Sequence, residues 1–138
     1  MKSFDAPFRA AIAAMFYFVL AATASAADYP VPKEGDWVAT NFKFHTGETM
    51  AELRLHYTTV GAPSGQPVLM LHGTGGTGAS MLTGPFAGEL FGPGQPLDAS
   101  THFIILPDAI GHGKSSKPSD GMRMKFPEYD YGDVVEAQ

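Results

Sequence analysis

The chain has no cysteine, which excludes disulfides, thiolate zinc sites and a cysteine nucleophile together. Positive charge is also scarce. Nine Lys and Arg stand against fourteen Asp and Glu, a formal charge of -5, and the nine form no cluster. The electrostatic footprint of a nucleic-acid-binding protein is therefore missing, and no nucleic-acid partner is expected. Metal-ligand spacing is absent as well: His45, His56, His102 and His112 are scattered with no H-x-x-x-H pair, so these histidines read as structural or solvated, and neither metal nor cofactor is expected. Internal hydrophobic runs are short, and the one long run lies at the N-terminus.

That run belongs to "MKSFDAPFRAAIAAMFYFVLAATASA". Lys2 and Arg9 precede an apolar stretch from Ala10 to Ala22, and Ala24 and Ala26 occupy A-x-A positions. This is the pattern of a secretory signal, residues 1–26, cleaved after Ala26. A retained membrane anchor is the rival reading, because the stretch approaches the roughly 20 residues of a span. Cleavage predicts a periplasmic or secreted protein, residues 27–138, with no membrane association.

Beyond a Pro-rich lead-in, "WVATNFKF" alternates apolar and polar residues from Trp37 to Phe44 and predicts a half-buried strand. "AELRLHYTTV" sets Leu53, Leu55 and Tyr57 on one face against Glu52, Arg54 and His56 on the other, and the two strands should pair as an antiparallel hairpin. "VLML", within Pro67 to Leu71, and "HFIIL", His102 to Leu106, read as strands covered on both faces. A patchy helical stretch from Ala79 to Phe91, broken at Gly84-Pro85, joins them into one right-handed βαβ unit. "YDYGDVVEAQ" begins a final helix with Asp130 as N-cap. The fold class is α/β. Two covered-type strands make a poor sheet alone, which predicts the front part of a larger domain rather than a complete four-stranded one.

The segment "LMLHGTGGTGAS", residues 69–80, matches G-x-G-x-x-G behind a strand and admits three readings. As a dinucleotide site in an oxidoreductase, Gly73, Gly75 and Gly78 would admit a pyrophosphate at a helix N-terminus. Gly84 and Pro85 interrupt that helix, and Asp98 and Asp108 sit at the wrong spacing for the ribose. A plain structural turn is the second reading. The third is an oxyanion hole, in which backbone N–H groups stabilise charge on a carbonyl oxygen and glycines let the backbone approach. "GHGKSS" is not a P-loop, since position 108, where that motif needs glycine, is Asp.

"VLMLHGTGG" and "HFIILPDAIGHGKSSKP", with its D-x-x-G-x-G-x-S spacing at Asp108, Gly111, Gly113 and Ser115, resemble the corresponding strands and loops of the α/β-hydrolase family. "ELRLHYTTVGAPSGQPVLMLHG" is similar to the branch containing homoserine O-acetyltransferases, although this loop is glycine-rich where that branch has alanine and a bulky apolar residue. The resemblance covers Trp37 to Gln138, the N-terminal half of such a domain, and implies that the fourth strand lies between the second and third. It implies a serine-dependent esterase or acyltransferase acting on a small acyl substrate. The backbone N–H groups of Thr74 and Gly75 would line the oxyanion hole, with Gly73 keeping the approach open and His72 holding the loop. His72 is not the triad histidine, because in this family nucleophile, acid and histidine all come later in the chain. No serine here has the G-x-S-x-G setting: Ser80 has Gly78 but Leu82, and Ser115 has Gly113 but Lys117. Nucleophile, acid and catalytic histidine are therefore expected outside these residues. A small exported binding or structural module without catalysis is the rival from another class.

Overall fold

A computed structural model describes residues 28–138; the signal-sequence expectation, residues 1–26, lies outside them. Four strands form one sheet: β1 (Lys33–Lys43), β2 (Thr49–Val60), β3 (Gln66–Leu69) and β4 (His102–Pro107). Their order is β1-β2-β4-β3, with β1-β2 and β2-β4 antiparallel and β3-β4 parallel. The fourth strand thus lies between the second and third, as expected. Gly47, at φ 89°, turns the chain between β1 and β2, where a β-carbon would be strained.

Alternation along the strands creates two cores. Leu53 and Leu55 of β2 face Phe44, Met50, Ile110 and Phe126. Val60 pairs with Ile104 across the β2-β4 ladder, and both join Leu106, Ala87 and Phe91 in a second cluster. Leu55 and Val60 differ in parity, so the clusters lie on opposite faces of the sheet. The second half of β2 departs from the expected polar face: His56 and Thr58 are buried alongside Val60. Here β2 runs between two neighbours, and each face has something packed on it.

Two expectations need correction. β3 ends at Leu69 instead of Leu71 and is not covered on both faces, since Leu69 is 50% exposed. It is the edge strand, with β4 as its neighbour on one side among the described residues. β1 is mostly exposed instead of half-buried, with Trp37 65% exposed, for the same reason at the opposite edge. The stretch from Ala79 to Phe91 is broken as expected, into a 3-10 turn at Ala79–Met81 and a single α-turn, α1 (Ala87–Leu90). Gly84 and Pro85 separate the two, and proline removes the N–H that a continuous helix needs.

The last element, α2 (Tyr131–Ala137), starts at a capping box. Asp130 accepts from the Asp133 N–H at 3.1 Å, and the Asp133 side chain accepts from the Asp130 N–H at 3.0 Å. Aspartate thus performs the reciprocal role more usual for glutamate. Among the described residues no helix is long and apolar enough to cross a membrane.

Candidate active site

β3 delivers the chain into the glycine loop, whose first fixed point is His72. Its Nε2 accepts from the Ala109 N–H at 3.0 Å, and its Nδ1 lies 2.9 Å from the Gly73 carbonyl. A nitrogen that accepts carries no proton, so the ring is the neutral tautomer and Nδ1–H donates to Gly73. His72 thereby ties the loop after β3 to the loop after β4.

A tight turn follows, closed by the Gly76 N–H on the Gly73 carbonyl at 3.0 Å, with Thr74 and Gly75 at its corners. Gly75 has φ 76°, the conformation that a type II turn demands at this position. The Thr77 N–H donates to Ser80 Oγ at 3.1 Å and the Gly78 N–H to Asp108 Oδ1 at 2.7 Å. Every amide from Gly76 to Gly78 is therefore engaged. Those of Gly73, Thr74 and Gly75 have no acceptor among the described residues. A β-carbon at Gly73 or Gly75 would meet nothing within 4 Å, so both border open space. Gly78 is the opposite case: a β-carbon there would run into the Leu106 carbonyl, and glycine is what lets the loop lie against β4. No α-helix begins at this loop, so the helix N-terminus that a dinucleotide phosphate requires is not provided.

The loop after β4 is organised by Asp108, which is 4% exposed. Its second carboxylate oxygen accepts from the Lys114 N–H at 2.8 Å, so one side chain joins both loops. A β-carbon at Gly113 would collide with that carboxylate, and one at Gly111 with the Tyr129 hydroxyl. Ser115 is fully buried, its hydroxyl donating to the Asp108 carbonyl at 2.7 Å and accepting from the His56 N–H at 2.9 Å. It meets the backbone of His56, not the imidazole, which instead lies 2.8 Å from Asp36. Ser115, His56 and Asp108 are thus neighbours without forming a catalytic triad. On the sheet surface Lys114 binds Glu34 at 2.6 Å, and this hydrogen bond holds the Glu34 carboxyl below its usual range.

Between the two loops and α2 runs a groove of about 550 Å³. Leu71, His72 and Thr74 form one wall, Ala109 and Ile110 the floor, and Tyr131 with Val135 the other wall. Tyr131 and Val135 are spaced i, i+4 and share a helix face; they are 87% and 72% exposed. His112 stands at the groove with its ring centroid 5.0 Å from that of His72.

Sequence reasoning placed His72, Gly73, Thr74 and Gly75 in one loop; His72, Gly73 and Thr74 line the groove, and Gly75 follows them in the same turn. It missed the partner of His45. That ring, in the β1-β2 turn, lies 2.6 Å from Asp133 and 3.9 Å from Asp130 at the start of α2. These three form the one His and carboxylate group close enough to gather round an ion among the described residues. The Nδ1 proton and the helix cap already use the facing atoms, so the cluster is a hydrogen-bonded cap.

No family model matches the chain. Solved structures do. Homoserine O-acetyltransferase from Staphylococcus aureus superposes with a TM-score of 0.62 at 23% identity, over 78% of this chain and 33% of its own. An acetylester hydrolase from Corynebacterium glutamicum gives 0.64 at 24% identity, over 77% and 31%. The acetyl esterase MekB gives 0.64 at 26% identity, over the same shares of the two chains. The chain spans about a third of the length of the structures it matches. With its strand order, its paired loops and these likenesses, the chain has part of an α/β-hydrolase fold.

Proposed function

We propose that this chain supplies the oxyanion side of an acyl-transfer site in a larger exported protein. That protein hydrolyses an acyl ester or passes the acyl group to another acceptor, through a serine nucleophile outside these residues. The observation that carries the reading is the pair of amides at Thr74 and Gly75, free of internal acceptors, on a fixed loop bordering an apolar groove. When a hydroxyl attacks an ester carbonyl, negative charge moves onto the carbonyl oxygen, and preorganised N–H donors stabilise it without rearranging. His72 positions these donors by anchoring the loop to Ala109. A further donor in such sites is the N–H that follows the nucleophile, so the described residues provide one side of the hole. Export rests on the signal-like N-terminal segment and places the protein in the periplasm or outside the cell.

The test compares this chain with a longer one that continues through the segment following Gln138. The 138-residue chain is expected to show no turnover of p-nitrophenyl acetate above buffer and no labelling by a fluorophosphonate probe. The longer chain is expected to show both. In it, Thr74→Pro removes one N–H at a turn position that accepts proline and should lower kcat about a hundredfold, the scale of one oxyanion donor. Thr74→Ala keeps the N–H and should leave kcat near wild type. Stoichiometric labelling of a serine within the 138 residues, or an unchanged kcat in Thr74→Pro, would overturn the reading.

A further inference from the structure

Helix α2 forms one wall of the groove, yet seven residues are too few to hold a helix in water without tertiary anchors. Its inner side has one, since Val134 and Ala137 pack on the Phe44 core. Its N-terminus has another, from the β1-β2 turn. The His45 N–H donates to Asp133 Oδ1 at 2.8 Å, and its Nδ1 lies 2.6 Å from Oδ2, across 88 positions. Asp133 is 5% exposed, whereas His45 is open to solvent on one side. A buried carboxylate is thus clasped by a ring that can exchange its proton with water.

We propose that His45 and Asp133 form a pH-sensitive clasp that seats α2 as a wall of the groove, firm at mildly acidic pH and looser once His45 is neutral. The clasp regulates the acyl site only if the reading above holds, but it exists and is measurable without any substrate. The charged groups acting on His45 are Asp133, Asp130 and Glu128, all acidic, and each favours the imidazolium. The hydrogen bond to Asp133 dominates and raises the His45 pKa above its ordinary value, against a smaller opposing effect of burial. For Asp133 burial is the largest influence and pushes upward, but the bonds from His45 and the Asp130 N–H outweigh it and leave the carboxyl below its usual range.

The signs fix the window. A raised histidine pKa means that the native state binds the proton more tightly, so its contribution is complete below the unfolded value of about 6.5 and fades as pH rises through the folded one. A lowered aspartate pKa means that its contribution is present above about 4 and fades as pH falls through the folded value. The clasp is therefore strongest in mild acid and weakens on the alkaline side of neutrality.

Hydrogen exchange read by mass spectrometry tests this on the full chain at low concentration. The His45 C2 hydrogen reports the ring's titration midpoint, and amides 131–138 report the seating of α2. The midpoint is expected above about 6.5. Protection of α2, corrected for intrinsic exchange, is expected to fall about twofold to fivefold between roughly pH 5.5 and pH 8.5, the size of a half-exposed ion pair. His45→Gln should give the lower protection at both pH values. A midpoint at or below the ordinary value, protection that does not change with pH, or an unaltered fall in His45→Gln would overturn the clasp. Loss of ester turnover in the longer chain would leave all three readings untouched, so the two proposals fail separately.

Discussion

Two loops leave the C-terminal ends of the two parallel strands, and they use their polar groups in opposite ways. The loop after β4 turns inward: the Asp108 carboxylate and the Ser115 hydroxyl each bind two groups within the fold. The loop after β3 turns outward, fixed at His72 and Gly78 but with the Thr74 and Gly75 amides unclaimed between those anchors. The first loop holds the second. Backbone donors can be left open toward a groove only where neighbouring groups already define the loop's path, because a free loop would turn them to water.

The contrast breaks most severely at Asp108. Asp108→Ala orphans the Gly78 and Lys114 N–H groups and opens space beneath both loops; a loss of about 2–4 kcal/mol in urea unfolding is expected. Ser115→Ala leaves the Asp108 carbonyl and the His56 N–H without partners in a fully buried setting, at about 1–3 kcal/mol in the same measurement. Gly75→Ala on the open loop meets no atoms but must adopt φ 76°, a strain of roughly 1–2 kcal/mol. Gly73→Ala has neither clash nor strain and should stay within about 0.5 kcal/mol of wild type. If Gly73→Ala proves as costly as Asp108→Ala, the loops do not differ as described.

Local pattern made much of this architecture legible. Alternation at Leu53 and Leu55 marked the buried face of β2, and Asp130 with Asp133 marked the start of α2. The glycine spacing at residues 73–78 marked the loop, and the spacing from Asp108 to Ser115 marked its neighbour. Misreadings arose where burial depends on position in the sheet. "VLML" is apolar enough for a covered strand, but among the described residues β3 stands at an edge, and nothing local to those four residues says so. His56 reads as a solvent-facing residue of an alternating strand and becomes buried because β1 and β4 flank β2. The pairing of His45 with Asp133 was invisible for a simpler reason: residues 88 apart carry no periodicity that links them.

The strand order also sets a sequence of events as the chain leaves the ribosome. β1 and β2 are adjacent in sequence and in the sheet, so they can pair as soon as β2, which follows the turn at Gly47, has emerged. β3 cannot join them, because its only ladder among the described residues is with β4, which begins at His102. Synthesis proceeds at about 5–20 residues per second, so this apolar strand waits on the scale of seconds with its backbone unpaired. Proline at position 67, within that strand, removes one of the donors on which a stray chain could pair in the meantime.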